Sequence, residues 1–440
     1  MRGFALMREL IINIEINGKK VRVGSIIGDR PEEAFFLYDS KYVHMEDAQP
    51  VSISLPLQDE PFSPERTKNY FEGLLPEGFT RKTVAQWMHA DEEDYLSILS
   101  GLGRECLGAL QVTEKGQSIE ERGYRVLTDD QVLALAREGT TVSSTMVVEA
   151  HLSLTGASGK VGLYYDDHEK RWFLPKGDAP STHILKQSHV RLLDIVANEQ
   201  LCMLTAALLG LDVPESFIVD PGDVSKEEVL FATRRFDRTF SEASEKIAGK
   251  RIPLRLHQED FAQALGIPAS KKYENQKSGY LKQIFDLIRH CSANPLEDQL
   301  KLWDILVFDC LIGNTDNHLK NLSFLYSQDM KSIRLAPAYD IVSTVVYEGA
   351  TRNLSFFIGS ENSLDRIQED SFRLAAREAG MNERLCLRRL RDMEKRFRPA
   401  LDKAADKMIS EGIPGISDLK EKILLKGYKN LMVSGTVNKI

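Results

Sequence analysis

The apolar patterning of this chain changes character partway along, and that change narrows the possible folds more than any single motif does. Between residues 153 and about 240 the hydrophobic residues alternate as in strands, over residues 161–165, 171–175, 182–187 and 229–233. One helix pattern interrupts them, from about residue 193 to 209, with Ile195, Val196, Leu201, Cys202, Leu204, Ala207 and Leu208 on a wide apolar face and Gly210 ending it. Beyond residue 258 the period becomes helical. Ile284, Phe285 and Ile288 share one face, and Trp303, Leu306, Val307, Cys310 and Leu311 share another before Gly313. Residues 372–380 and 383–408 repeat the pattern. A strand-rich lobe followed by a helix-rich lobe is the expected division of a bilobal nucleotide-binding enzyme, an α+β fold.

A third unit precedes these two. Leu10-Ile11-Ile12-Asn13-Ile14-Glu15-Ile16 alternates, reaches the tight-turn pair Asn17-Gly18 and returns through Val21 and Val23, which predicts a hairpin. Ser63-Pro64, with Glu65 and Arg66 behind it, predicts a helix start. Lys115-Gly116-Gln117-Ser118 is polar, so a boundary is placed there. The expected division is an N-terminal α+β subdomain over 1–115, a strand-rich lobe over 116–240 and an all-helical C-lobe over 241–440, in keeping with 440 residues and roughly 100–200 residues per domain.

The net charge of −8 argues against a chain that grips nucleic acid by its overall field. The basic run at 388–398 also carries Asp392 and Glu394, and is read as a solvated helix face. Five scattered cysteines without a C-x-x-C pair suggest neither a disulfide framework nor a zinc site, and Cys202 and Cys310 fall in apolar helical runs as core thiols. No stretch of about 18 apolar residues occurs, so no membrane association is expected and the cytoplasm is the expected compartment.

Chemistry concentrates in Ile312-Gly313-Asn314-Thr315-Asp316-Asn317-His318-Leu319-Lys320-Asn321, where an apolar helix stops at glycine and a dense polar loop follows. Asp316 and Asn321 stand five apart, the separation of the base and the metal-binding asparagine in the protein-kinase loop H-R-D-x-x-x-x-N, although Asn314-Thr315 replaces His-Arg. Phosphoryl transfer asks the protein to orient a hydroxyl and to neutralise phosphate charge, which these residue types can do. Asp340, in the apolar run 335–342, is the candidate second ligand for Mg²⁺. Lys186 ends an alternating strand where an ammonium can meet nucleotide phosphates, and Glu199 on the following helix is its candidate ion-pair partner. Ser153-Leu154-Thr155-Gly156-Ala157-Ser158-Gly159-Lys160 is a glycine-containing turn able to cradle phosphate oxygens; Leu154 and Val161 exclude a Walker A loop.

Taken in order, these motifs resemble the HipA family of bacterial toxin kinases. Ser52-Ile53-Ser54-Leu55-Pro56-Leu57, Phe71-Glu72-Gly73-Leu74-Leu75-Pro76 and Gly103-Arg104-Glu105-Cys106-Leu107-Gly108-Ala109 look like its N-terminal subdomain. Asn198-Glu199, Arg235-Phe236-Asp237-Arg238, Gln258-Glu259-Asp260 and Lys272-Tyr273-Glu274 look like its kinase part. The resemblance implies a protein-kinase-like fold, distantly related to lipid kinases, and ATP-dependent phosphorylation of Ser/Thr on protein targets, with an aminoacyl-tRNA synthetase as one candidate. It implies a HipB-like DNA-binding antitoxin as partner, with operator DNA met only through that complex.

Carried over residue by residue, the resemblance makes Asp316 the base and Asn321 and Asp340 the Mg²⁺ ligands. It assigns ATP to Lys186, Ser153, Leu154, Thr155, Gly156, Ala157, His318, Lys320, Asn321 and Asp340, with Arg235-Phe236-Asp237 as the hinge at adenine and ribose. Ser153 is the implied autophosphorylation site. Two positions depart from the family pattern: Arg234 replaces the glutamate of E-R-F-D-R, and Ser158-Gly159 stands where relatives carry Gln followed by Glu or Pro. The residues alone also admit a small-molecule or lipid kinase, since the same groups serve any hydroxyl. A further alternative is a non-catalytic partner of a DNA-binding repressor.

Overall fold

The computed structural model describes residues 7–118, 121–137, 140–154, 159–187, 194–220, 229–242 and 244–427. Thr155, Gly156 and Ala157, three of the expected phosphate-loop residues, lie outside the described residues. The chain forms two compact units. The first comprises 1–189, 232–269 and 324–332, the second 190–231, 270–323 and 333–440.

In the first unit, strands Glu9–Ile16 and Lys19–Ile27 pair antiparallel through the predicted turn. Asn17 and Gly18 take φ of 50° and 74°, the left-handed pair that matches the twist of a two-residue hairpin. Leu10, Ile12 and Ile14 alternate into the core, and the sheet runs in the order Phe35–Tyr38, Lys19–Ile27, Glu9–Ile16, Leu110–Glu114. Ser63 caps helix Pro64–Phe71 by accepting from the Arg66 amide at 3.3 Å, as Ser-Pro predicts. A second sheet orders Gly123–Val126, Arg171–Lys176, Lys160–Asp166 and His183–Gln187, all antiparallel neighbours.

Helices dominate the second unit: Ile195–Leu209, Tyr280–Cys291, Pro295–Ile312, Glu369–Glu378, Glu383–Ser410 and Ile416–Lys426. Trp303 is 1% exposed and its indole N–H donates to the Cys386 carbonyl at 3.2 Å. Cys202 and Cys310 are buried as expected, and the basic run on Glu383–Ser410 pairs with neighbouring helices, Arg389 with Asp304 and Arg391 with Glu369. The expectation of an all-helical C-terminal part needs correction. Strand Asn353–Ile358 pairs with Glu361–Ser363, because Leu354, Phe356 and Ile358 alternate with period two and bury one edge of a short hairpin. Among the described residues no helix is long and apolar enough to cross a membrane.

Candidate active site

The polar loop of the second unit begins where helix Pro295–Ile312 stops. Gly313 takes φ of 72°, and a Cβ there would lie 2.2 Å from Val345 Cγ2, so only glycine fits the turn. In the last helical turn Asp309 is buried and faces the loop it precedes. Asn314 Nδ2 donates to its Oδ1 at 2.9 Å, and Asn317 Nδ2 donates to its Oδ2. Burial pushes the Asp309 carboxyl up to about 7, against the pull of the Asn317 and Asn314 amides. Thr315 N and Oγ1 bond Thr344 Oγ1 at 2.8 and 2.7 Å, and Ser355 Oγ donates to the Thr315 carbonyl at 2.9 Å.

This scaffold presents Asp316. Residues 314–320 are buried except Asp316, which is exposed. Its amide donates to Asn314 Oδ1 at 3.1 Å, and its carbonyl accepts from Asn321 Nδ2 and the His318 amide, both at 2.9 Å. The backbone beneath the carboxylate is thereby pinned on both sides, and the Tyr273 hydroxyl donates to its Oδ1. Asn321 uses its amide nitrogen within the loop, so its oxygen is the atom left for a cation.

Asp340 is tied to the same loop through its neighbour: the Tyr339 hydroxyl donates to the Lys320 carbonyl at 2.9 Å and lies 2.6 Å from Ser323 Oγ. Asp340 itself sits at φ of 58°, a left-handed conformation uncommon outside glycine that aspartate tolerates and that recurs at functional sites. The structure thus brings Asp316, His318, Lys320, Asn321 and Asp340 together in one unit. Glu199 belongs to that unit as well, buried on Ile195–Leu209. Beside it Asn198 Nδ2 donates to the Ser343 carbonyl at 2.9 Å, and its Oδ1 accepts the Ser343 amide at 3.1 Å.

The remaining candidates lie in the first unit. Lys186 is half-buried on His183–Gln187, opposite Lys160 in the register. Ser153 is 0% exposed; its hydroxyl donates to the Leu74 carbonyl at 2.6 Å and its amide to the Glu105 carbonyl at 2.8 Å. Leu154 is buried beside it.

Arg235 and Asp237 enter a buried ion network. Asp237 Oδ2 accepts from the Gly108 amide and from Arg235, both at 2.7 Å, so its carboxylate points into the protein, while Phe236 between them is half-exposed. Glu105 is the hub, 1% exposed. It accepts from Arg235 at 3.1 Å, from Arg238 at 2.8 Å and from Arg255 at 2.7 Å, and from the Ser181 amide at 3.1 Å. Burial alone would raise the Glu105 carboxyl, but the Arg238, Arg255 and Arg235 guanidiniums hold it down to about 2.

Motifs that look isolated in sequence therefore meet in space. Glu259 joins Ser52 and Ile53, accepting from Ser52 Oγ at 2.5 Å, from the Ile53 amide at 3.1 Å and from the Tyr326 hydroxyl. Three groups had no role assigned from the sequence: Asp309, and Glu105 and Tyr273, which stand in the family-like motifs without a stated task. Only Asp309 carried a local signal, a carboxylate inside the apolar run Ile305-Leu306-Val307-Phe308-Asp309-Cys310-Leu311.

Comparison with known proteins establishes the family. Residues 14–113 match the HipA N-terminal domain and residues 152–401 the HipA-like C-terminal domain. A putative kinase, Y4mE of Sinorhizobium fredii, is 34% identical over 392 residues, 87% of this chain and 89% of its own length. The serine/threonine-protein kinase toxin HipA of Shewanella oneidensis is 25% identical over 80% of this chain and 79% of its own. Among solved structures, the complex of HipA, HipB and operator DNA from Shewanella oneidensis MR-1 shares the fold. Its TM-score is 0.77 at 22% identity, covering 95% of this chain and 97% of that one. With both domains matched and a relative above 30% identity along most of its length, this chain belongs to the HipA family of kinases.

Proposed function

We propose that this chain is an ATP- and Mg²⁺-dependent serine/threonine protein kinase that acts as a growth-arresting toxin restrained by a HipB-like antitoxin. The observation that carries the reading is Asp316, an exposed carboxylate on a loop whose neighbours are buried and hydrogen-bonded, with Asn321 five residues on. Asp316 accepts the proton of a serine or threonine hydroxyl as the oxygen bonds to the γ-phosphorus and the bond from that phosphorus to the β–γ bridging oxygen breaks, releasing ADP. Asn321 and Asp340 would hold Mg²⁺, each through a side-chain oxygen. Once bound, the ion neutralises phosphate charge.

Lys186 meets the phosphates and Glu199 is its expected ion-pair partner, with His318, Lys320 and the 153–157 loop completing the nucleotide contacts. Phe236 offers main-chain groups to adenine, and the network around Arg235 and Asp237 shapes that segment rather than reading the sugar. Ser153 is the proposed autophosphorylation site, modified between molecules. Its hydroxyl is buried against Leu74, so the loop has to leave that bond before a phosphoryl group can be received. A HipB-like antitoxin is the proposed partner, operator DNA is met through it, and an aminoacyl-tRNA synthetase is a candidate target.

The test incubates purified protein with Mg-[γ-³²P]ATP and a cell lysate, then separates labelled protein from labelled lipid and small molecules. Label on serine or threonine of protein, together with growth arrest on induction that co-expressed antitoxin relieves, is the expected outcome. Label on lipid or small molecules alone would replace this reading with that of a small-molecule kinase.

A further inference from the structure

Lys272-Tyr273-Glu274 is a motif that the scheme above leaves without a task, yet the structure spends unusual care on its placement. Glu274 Oε1 accepts from the Ser278, Gly279 and Tyr280 amides at 2.6, 2.6 and 3.1 Å, closing the turn ahead of helix Tyr280–Cys291. Its Oε2 accepts the Phe357 amide at 3.1 Å and its own amide donates to the Ser355 carbonyl at 2.9 Å. Ser355 in turn holds the Thr315 carbonyl. On the other side the Lys272 carbonyl accepts the Leu319 amide at 3.3 Å. The residues on both sides of Tyr273 are therefore bonded to the loop or to the strand behind it.

Tyr273 itself stands edge-on to His318, with ring centroids 4.9 Å apart at 83°, and its hydroxyl donates to Asp316 Oδ1. An aspartate on a fixed backbone still rotates about two side-chain bonds, and a proton acceptor works only when one oxygen is aimed at the attacking hydroxyl. A base held by a third group is the usual remedy, and tyrosine is suited to it because its ring is stiff and its reach fixed.

From this placement we infer that Tyr273 is the positioning residue of the base: its hydroxyl, bonded to Asp316 Oδ1, sets the rotation of the carboxylate that takes the proton of the acceptor hydroxyl. The inference rests on the reading of Asp316 as that base. Proton bookkeeping is unchanged, since the acceptor's proton passes to the Asp316 carboxylate and the tyrosine keeps its own.

The experiment compares wild type, Tyr273→Phe and Asp316→Asn, full chains in each case. The probe is Mg-[γ-³²P]ATP with casein as acceptor and water as a second acceptor. Tyr273→Phe keeps the ring beside His318, so its melting temperature and KM for ATP should match wild type. Its kcat should fall about tenfold, part of the roughly 10²–10⁴-fold worth of a positioned base. The acid limb of its rate profile should move to higher pH, because a carboxylate that loses a donor is easier to protonate.

Wild-type kcat in Tyr273→Phe, with transfer lost in Asp316→Asn, would overturn the inference and leave the base in place. A fall in melting temperature or ATP affinity that accounts for the lost rate would also overturn it, in favour of a packing role. Full transfer by Asp316→Asn, or no transfer by wild type, would overturn the reading of the base and the inference together.

Discussion

Glu105 in the first unit and Asp316 in the second are both held by dense hydrogen bonding, and they are held in opposite ways. Glu105 is buried to 1% exposure with its two oxygens shared among Arg235, Arg238, Arg255 and Ser181. Asp316 has its backbone fixed by Asn314, His318 and Asn321 while its carboxylate reaches the surface. A charge removed from water is stable only when its partners are in place, and such a charge is unavailable to anything else. A charge left at the surface on a rigid base stays reactive. Both carboxylates look alike in sequence; the structural ion is buried among guanidiniums, while the proposed base is exposed on a pinned backbone with one tyrosine hydroxyl at its carboxylate.

If that distinction is right, the largest effects should fall on different observables. Asp316→Asn should abolish transfer by at least roughly 10²–10⁴-fold while shifting unfolding free energy by no more than about 0.5 kcal/mol. Phosphate-transfer assays beside urea unfolding check both. Glu105→Gln should do the reverse, destabilising the protein by about 3–5 kcal/mol because three guanidiniums lose a buried counter-charge. Equal stability of that variant would break the comparison at its first half.

A smaller effect is expected at Gly313. Gly313→Ala forces a Cβ against Val345 at a left-handed backbone position, for about 1–3 kcal/mol, and should lower transfer by displacing the loop. Retained stability with retained transfer would show that the helix end does not fix the base.

The remaining effects are in pH dependence, and they separate the two regions. The Glu105 carboxyl is held at about 2 in the fold against its ordinary 4.5, so the stability it contributes is present above about 4.5 and lost as pH falls towards 2. Asp309 runs the other way. Raised to about 7 from 3.8, it binds its proton more tightly folded than unfolded, so its contribution falls as pH rises from about 4 to 7. Denaturant titrations of Glu105→Gln and Asp309→Asn across pH should each flatten one of these limbs and leave the other.

What the sequence disclosed is what local spacing can carry. The hairpin at Asn17-Gly18, the cap at Ser63 and the Asp316–Asn321 interval are all signals within a few residues, and each is visible in the fold. The contacts that the sequence did not disclose join distant partners: Tyr273 meets Asp316 from 43 residues away and Arg255 meets Glu105 from 150. Helix Thr140–Glu149 offered no helical signal, since six of its ten residues are Thr or Val, whose branched side chains favour strands. The strand Asn353–Ile358 was missed for the opposite reason, a short run set within a long helical context.

The Glu105 network also bears on how the chain can be divided. The C-terminal family segment begins at residue 152, after Glu15, Glu105 and Gly108 but before Arg235, Arg238 and Arg255. A gene fragment cut at that boundary would inherit three buried guanidiniums and leave Glu15 and Glu105 behind, keeping Asp237 at Arg235 and Arg238 and Asp178 near Arg255. Recombination at the seam between the two families' halves is therefore penalised by electrostatics: an N-terminal half can be exchanged only for one that brings its own glutamate to the same three arginines. The two halves are separable as text and inherited as one object.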